Sequence, residues 1–376
     1  MPTKRTSSQL SPLINDWGPE TIIHKDRYSA LSDDDPADDT NIPNIRHQQG
    51  HGARTPLWTY KNDEHQSWAE GWGKLTIEGK NQMYTLGKRL RQDYSHFLSE
   101  SYIEDEVYVR SSDTVRCKAS AQLVLAGLFP PVGHQIWNPD LPWQPIPISY
   151  VPRQEDNLLS LEKPCHALGE ALKRFLSSDQ MTNHTIVHEK LYKYLSLHTG
   201  QDINDVFLVH KLYDTLKIEK HHNLELPPWT KHLPWDTMYE IAALKLFIYT
   251  IATDTQKFSG GVLLKDIIDK FSDRSINGSS LKLIIYSAHD STLVPALQSL
   301  GFGKIFIPDY GAHLAFELHK INETHEIRVL FAENFNSSLT LLPLSFCPSP
   351  CTLSKFEEQL RSREILPTDW DRECLN

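Results

Sequence analysis

Residues 281–292, Leu-Lys-Leu-Ile-Ile-Tyr-Ser-Ala-His-Asp-Ser-Thr, contain the clearest buried strand of the sequence and the polar junction that follows it. A short, continuous apolar run of this kind is typical of a strand that is covered on both faces of a sheet. The run ends at Ser287, and His289 and Asp290 stand where a helix is expected to begin. In α/β folds such strand-to-helix junctions form the edge of the sheet that binds ligands.

The flanking segments predict further elements of the same kind. Residues 75–98 are expected to form a helix that starts after Thr76, because their apolar side chains recur at spacings of three and four. The other predicted elements are a strand at 106–110, a helix from about Ala119 to Gly127, and a hairpin of residues 312–319 and 326–332. The sequence therefore predicts an α/β fold with a central, mostly parallel sheet flanked by helices.

The middle of the chain has a different pattern. Seven prolines between residues 129 and 152 exclude a regular helix there and predict a long ordered connection, whereas residues 155–257 are mainly helical in pattern. We therefore expect an inserted, mainly helical cap domain at 140–260, with the α/β core formed by 46–139 and 261–376.

Composition and charge exclude several classes of protein. The 376 residues carry a net charge of −10, which disfavours a nucleic-acid binder, and no apolar run reaches the ~18 residues of a membrane-spanning helix. The run Asp-Asp-Asp-Pro-Ala-Asp-Asp at 33–39 could not be absorbed by a hydrophobic core. Residues 1–45 are therefore expected to be mostly disordered, or to be a wrongly annotated N-terminus.

Cysteines and glycosylation motifs bear on the compartment. Cys347 and Cys351 flank a short proline-containing loop and could form a disulfide, although two reduced thiols remain an alternative. Zinc is disfavoured, because no second pair of ligands has the required spacing. Four Asn-X-Ser/Thr motifs are present, at Asn183, Asn277, Asn322 and Asn336. Together these features favour the secretory pathway, lysosomal or extracellular, although no signal peptide is visible.

The first segment with chemical potential is Gly50-His-Gly-Ala-Arg-Thr-Pro56. Gly52 lets the backbone turn and lets a ligand approach closely. His51 and Arg54 are three residues apart, so both side chains could enter one pocket. An imidazole can attack phosphorus, and a guanidinium binds phosphate oxygens in a bidentate fork. A surface turn with unrelated polar residues is the alternative.

Two further segments contain the same residue types. Arg110 ends a predicted strand, where a guanidinium either joins a clamp for an anion or forms a structural ion pair. Arg116 is expected to be a scaffold residue that pairs with an acid, for example Asp113. In the third segment His289 can donate to a phosphoryl oxygen, while Asp290 either donates a proton to a leaving alkoxide or caps the helix. A proton donor of this kind requires acid conditions or a raised pKa.

The combination resembles the histidine acid phosphatases, the second branch of the histidine phosphatase superfamily, and within it the animal acid phosphatases. That family has Arg-His-Gly-x-Arg-x-Pro early in the chain and His-Asp late. The resemblance extends over residues 50–376. Further matching stretches are Trp72-Gly-Lys-Leu-Thr-Ile-Glu-Gly79, Leu86-Gly-Lys-Arg-Leu-Arg91, Gly127-Leu-Phe-Pro-Pro131, Tyr213-Asp-Thr-Leu216 and Leu226-Pro-Pro-Trp229.

The resemblance implies an acid phosphatase that hydrolyses phosphate monoesters of small molecules or phosphoproteins. His51 matches the nucleophile that forms a phosphohistidine, and Asp290 matches the acid that protonates the leaving group. Arg54, Arg110 and His289 match the phosphate clamp. The resemblance implies no metal and no organic cofactor, a possible homodimer, and disulfides Cys165–Cys374 and Cys347–Cys351, which leave Cys117 as the odd thiol.

The sequence departs from the family in the segment that ends at Gly50. Gly50 stands where the family has Arg, and the polar residues 41–49 are not expected to fill a central strand. Arg46-His47 offers a second alignment, which is disfavoured because it breaks the spacing that His51 and Arg54 keep. Two explanations are open: the segment before His51 results from wrongly joined exons, or it is genuine and catalysis is impaired.

Other functions are weighed against this one. A catalytically inactive protein that binds phosphate ligands is supported by Gly50. A phytase-like or lipid-phosphate phosphatase is a further alternative. A pocket for a polyphosphorylated ligand would need a dense cluster of Lys and Arg, and the segments at 129–257 contain none.

Overall fold

Strands and helices alternate in the first part of the described chain, and three consecutive strands stand near its end. The computed structural model describes residues 44–250, 253–277 and 280–375. The strands are β1 (Asn44–Gln49), β2 (Val107–Ser112), β3 (Ser149–Val151), β4 (Leu283–Ser287), β5 (His313–Ile321), β6 (Thr324–Ala332) and β7 (Thr340–Leu341). The first six α-helices of the described chain are α1 (Ile77–Asp93), α2 (Val115–Leu128), α3 (His166–Leu176), α4 (Asp179–Thr199), α5 (Val206–His221) and α6 (Trp235–Phe247). The remaining helices are α7 (Thr253–Gln256), α8 (Val262–Asn277), α9 (Asp290–Ser299), α10 (Leu353–Leu360) and α11 (Trp370–Cys374).

The strands form one seven-stranded sheet in the order β3-β2-β4-β1-β5-β6-β7. The first four strands in this order are parallel to one another, and β5, β6 and β7 continue the sheet in antiparallel pairs. This arrangement confirms the predicted α/β fold with a mostly parallel centre. The predicted hairpin at 312–332 corresponds to β5 and β6.

The predictions for β4, for the start of α9 and for the N-cap of α1 are confirmed. All five residues of β4 are buried, as the apolar run predicts, and α9 begins at Asp290. Thr76 caps α1, because its hydroxyl oxygen accepts a hydrogen bond from the Gly79 N–H at 3.1 Å. Helix α2 begins at Val115, earlier than the expected Ala119, directly after the turn that follows β2.

Strand β1 corrects the expectation that residues 41–49 could not fill a central position. Residues 44–49 are all buried between β4 and β5. The ladder forms because backbone N–H and C=O groups pair whatever the side chain is. Arg46 is accommodated because its guanidinium donates to Asn44 Oδ1 and to the carbonyl of Lys270, and lies 4.8 Å from the centre of the Phe271 ring.

Other polar side chains of β1 are less well accommodated. The imidazole nitrogens of His47 and the amide atoms of Gln48 and Gln49 are buried and have no hydrogen-bond partner among the described residues. A buried amide without a partner costs roughly 1–3 kcal/mol. Backbone hydrogen bonds therefore keep β1 in the centre of the sheet, although burial of its polar side chains is unfavourable.

Two hydrophobic clusters cover the two faces of the sheet, and a third lies among the helices of the cap. The third cluster contains Met181, Leu195, Leu212 and Met238, together with Tyr60 from the loop before α1. This separate core is what a helical cap requires, although the boundary at 140–260 stays a prediction. Residues 1–43 of the segment predicted to be disordered lie outside the described residues. No helix in the described part of the chain is long and apolar enough to cross a membrane.

Gln48 provides a test of the cost of the polar strand. Its neighbours across the ladder are Tyr286 and Leu314, which belong to an apolar cluster. We expect Gln48→Leu to raise the free energy of unfolding by roughly 1–3 kcal/mol, because it removes two buried polar atoms without partners. The control is Gln92→Leu at an exposed position, with an expected change within about 0.5 kcal/mol. Urea denaturation measures both, and a neutral or destabilising Gln48→Leu would contradict the expectation.

Candidate active site

The candidate site lies where neighbouring parallel strands end. β2, β4 and β1 are adjacent in the sheet and run in one direction, so their carboxyl ends meet at the same edge. His51 follows β1, Ser112 ends β2, and His289 follows β4. The ring centroids of His51 and His289 are 5.8 Å apart, in an edge-to-face arrangement. The two histidines singled out in the sequence therefore meet at one place.

His51 is held as a neutral imidazole with one free nitrogen. Its Nδ1 lies 3.0 Å from the carbonyl oxygen of Gly52, so Nδ1 carries the proton and Nε2 retains its lone pair. Burial, and then the positive charges of Arg116 and Arg54, lower the pKa of His51 well below its usual value. Gly52 is required here, because a Cβ at this position would lie 2.3 Å from the Gly79 carbonyl oxygen.

His289 is fixed on both ring nitrogens. Its Nε2 lies 3.0 Å from Ser112 Oγ, and its Nδ1 accepts a hydrogen bond from Arg116 Nη2 at 3.2 Å. The guanidinium can only donate, so we assign the ring proton to Nε2. Burial and then Arg116 lower the pKa of His289 to about 3, which keeps the ring neutral.

Arg116 is the functional candidate that sequence reasoning misplaced. It was expected to pair with Asp113, but Asp113 binds Lys118 at 2.6 Å, and Arg116 lies against His289. Arg116 also lies in the first turn of α2, where a positive charge is disfavoured by the helix dipole. That unfavourable position was the one signal in the sequence that could have indicated a role in anion binding.

Arg54 reaches the site from the loop after β1. Its guanidinium makes a two-pronged ion pair with Asp214 of α5, at 2.9 and 3.1 Å. Burial alone would lower the pKa of Arg54, but Asp214 raises it above its usual value, so the side chain stays charged. The pair ties the cap helix α5 to the sheet edge.

The carboxyl of Asp290 does not have the raised pKa that was one of the two alternatives for a proton donor. Burial acts to raise the pKa of its carboxyl, but Lys245, His210 and His51 together lower it well below the usual value. One carboxylate oxygen also accepts a hydrogen bond from the Ser291 N–H at 2.7 Å. Asp290 is therefore ionised when the site holds no ligand.

Arg110 is engaged elsewhere in the sheet edge. Its guanidinium pairs with the buried Asp156 at 2.6 Å, and that carboxylate also accepts from the Leu158 and Leu159 N–H groups at 3.0 and 3.1 Å. This is the structural ion pair that the sequence left open for Arg110. Its membership of a phosphate clamp stays a prediction.

The cysteines follow the predicted pairing. Cys165 is bonded to Cys374, and Cys347 to Cys351. Cys117 is free and buried, with its thiol donating to the Ala288 carbonyl at 3.1 Å. Burial raises the pKa of this thiol to about 11, so it is a protonated packing group beside the site.

The four predicted glycosylation positions have different surroundings. Asn183 on α4 and Asn322 in the β5–β6 turn are exposed. Asn336 is also exposed, and its side-chain oxygen lies 3.4 Å from Arg89 Nη1. Asn277 ends α8, and its side chain lies outside the described residues. The exposed positions are accessible to a modifying enzyme.

The assembled groups suit a tetrahedral anion. Two neutral imidazoles, the guanidinium groups of Arg54 and Arg116, and one carboxylate surround the junction of β1 and β4. The guanidinium groups bind anionic oxygens, and the free Nε2 of His51 is a nucleophile. Such a set can bind a phosphoryl group and accept it on nitrogen.

Buried neutral histidines make the stability of the fold depend on pH. Burial lowers the pKa of His313 to about 4, so below about pH 6.5 the unfolded chain binds a proton that the folded chain rejects. Stability is therefore lost as the pH falls from about 6.5 to about 4. We expect His313→Gln to make the free energy of unfolding about 1.4 kcal/mol per pH unit less steep over this window. The exposed His134→Gln is the control, and equal slopes in both variants, measured by urea denaturation, would refute the expectation.

Comparisons with known proteins agree with this geometry. Rat prostatic acid phosphatase is 35% identical over 332 residues, covering 86% of this chain and 87% of that protein. Human lysosomal acid phosphatase is 36% identical over 335 residues, covering 86% of this chain and 78% of that protein. A Hafnia alvei phytase in complex with myo-inositol hexakis sulphate shares the fold, with a TM-score of 0.66 at 15% identity, covering 87% of this chain and 98% of that one. The family model of the histidine phosphatase superfamily (branch 2) matches residues 23–332, and the chain belongs to this family.

Proposed function

We propose that this protein is an acid phosphatase that hydrolyses phosphate monoesters through a phosphohistidine at His51. Its family and its acid phosphatase relatives make it a phosphoric monoester hydrolase. The observation that carries the finer proposal is the state of His51: a neutral ring with Nε2 free, beside Arg54, Arg116 and His289. A nucleophile that stays unprotonated in acid is what catalysis at low pH requires.

The first step forms the phosphoenzyme. The Nε2 lone pair of His51 attacks phosphorus, the bond from phosphorus to the ester oxygen breaks, and its electron pair goes to the alcohol. Arg54 and Arg116 stabilise the charge on the phosphoryl oxygens. The positive charge that develops on the His51 ring is stabilised by the Gly52 carbonyl oxygen at Nδ1.

Asp290 supplies the proton for the leaving alcohol. It is ionised in the empty site, but a bound phosphoryl dianion next to it opposes the positive charges that lower its pKa. In acid the carboxyl group is then protonated in the complex and can protonate the alkoxide. In the second step the carboxylate takes a proton from water, the water oxygen attacks phosphorus, and the phosphorus–nitrogen bond returns its electrons to His51.

Location and assembly form the finer part of the proposal. The two disulfides and the exposed Asn183 and Asn322 support the secretory pathway, with glycosylation at those positions. Strand β3 lies at the edge of the sheet, and Tyr150 in this strand and Trp137 in the preceding connection are exposed. This edge is the surface on which we place a homodimer contact.

The nucleophile is tested by trapping labelled phosphate. The enzyme is mixed with phenyl phosphate that carries labelled phosphorus and is then denatured rapidly without acid. The wild type should retain covalently bound label, and His51→Ala should retain none. Asp290→Asn should retain more label than the wild type, because water attack on the phosphoenzyme is slowed. Label trapped at wild-type levels in His51→Ala would remove His51 from its role.

The guanidinium that completes the clamp is tested by a matched pair. We expect Arg116→Met to lower kcat/KM by about 10²–10³, because it removes a preorganised donor from the transition state. Arg110→Met should instead lower stability, because it leaves the buried Asp156 without its charge partner. The kcat/KM for phosphate monoester hydrolysis and the free energy of unfolding in urea, measured for both variants, distinguish a catalytic role from a structural one. A large kinetic loss in Arg110→Met with normal stability would assign the role to Arg110, as the family resemblance implied.

The inactive phosphate-binding protein is the second candidate, and Gly50 favours it. An anion would bind to the same guanidinium groups without turnover. Phenyl phosphate hydrolysis by the wild type between pH 4 and 6 decides between the two functions. The likeness to phytases rests on solved structures at about 15% identity and shows the fold alone, so it does not advance a phytase-like or lipid-phosphate activity.

Gly50 can be replaced without displacing the backbone. A Cβ at this position would lie 3.6 Å from the Ala312 carbonyl oxygen, an ordinary contact. We expect Gly50→Arg to raise kcat by about 10²-fold, because it adds a donor to the developing charge. Gly50→Ala is the control for the backbone and should leave kcat within about twofold. No gain in a folded Gly50→Arg variant would mean that another group already fills this place.

A further inference from the structure

The surface of the cap that faces Asp290 contains basic groups that the proposed reaction does not use. Asp214 of α5 binds Arg54 and so places this face of the helix at the site. His210 precedes Asp214 by four residues and therefore lies on the same face, one turn away. Its Nδ1 donates to the carbonyl oxygen of Ala242 on α6 at 2.9 Å. This bond joins the two cap helices beside the site.

Lys245 lies next to this bond. It follows Ala242 by three residues on α6, on the same side of the helix, and α6 packs against α9, whose first residue is Asp290. The charge of Lys245 is the strongest of those that favour the ionised form of Asp290, followed by that of His210. Lys245 is therefore close to the carboxyl group at which the alcohol departs.

Several basic groups around the site have acidic partners among the described residues, whereas Lys245 has none. Arg54 pairs with Asp214, Arg110 with Asp156, Arg153 with Glu162, and Lys217 with Asp309 at 3.6 Å. Lys245 is partly buried and forms no ion pair or hydrogen bond with the described residues. A partly buried ammonium without a contact partner is costly, and it is stabilised when an anion binds to it.

We propose that Lys245 forms a leaving-group subsite that binds a second negative charge on the alcohol part of the substrate. The substrates it selects are phosphate monoesters whose alcohol carries a carboxylate or another phosphate. Because Asp290 is the group that protonates the leaving alcohol in the proposed reaction, a charge beside it acts on the alcohol part of the substrate. The proposal rests on the phosphatase function and names a substrate class for it.

The test compares two substrates that differ in one charge. Phosphoglycolate carries a carboxylate on its alcohol part, and its primary amide is neutral and of similar size. We expect the wild type to prefer the acid by about tenfold in kcat/KM, consistent with one charge-assisted contact. Lys245→Met should reduce the ratio to about one, and Lys245→Arg should retain most of it. Lys217→Met, which removes another lysine of the cap, is the control and should keep the wild-type ratio.

The same comparison can be made without turnover. Calorimetric binding of both compounds to His51→Ala should give the same order of preference, and Lys245→Met in that background should abolish it. If the wild type does not hydrolyse phenyl phosphate, the phosphatase function is overturned. The calorimetric comparison still tests the subsite in that case, because it needs no turnover. Equal affinity for acid and amide, or a preference that survives Lys245→Met, would overturn the subsite itself.

Discussion

The backbone ladder of β1 is the constraint on which the site depends. This strand is parallel to β4 on one side and antiparallel to β5 on the other, so it joins the two halves of the sheet. Its carboxyl end places His51 beside the end of β4, where His289 and Asp290 lie. Because both strands are fixed by paired backbone groups, the two imidazoles meet even though the side chains of β1 are poorly suited to a core.

Side-chain pattern predicted the parts of the fold in which packing and hydrogen bonding agree. The apolar run of β4, the hairpin of β5 and β6, and the cap of α1 by Thr76 were all readable for this reason. Strand β1 was not, because polar residues 44–49 are buried at the cost of unpartnered side-chain atoms. A pattern of hydrophobicity has no means to predict a strand that its neighbours force into place.

Site residues were predictable where motif and strand end coincide, as for His51 and His289. The sequence did not reveal the partners of Arg110 in β2 and of Arg116 after it, because distance along the chain does not show which side chains meet. Arg110 pairs with Asp156, whereas Arg116, in the first turn of α2, reaches His289. Asp214, more than 150 residues from Arg54 in sequence, could be placed only by the folded chain.

The charges of the core and the cap are interdependent. Asp214 occupies the fork of Arg54 that a phosphate would bind, so a ligand must exchange one bidentate partner for another. Lys245 and His210 lower the pKa of Asp290, and in the proposed reaction the negative charge of the ligand opposes this effect. In the proposed reaction, the phosphoryl charge that displaces Asp214 from Arg54 also favours protonation of Asp290, so the cap takes part in ligand recognition together with the sheet.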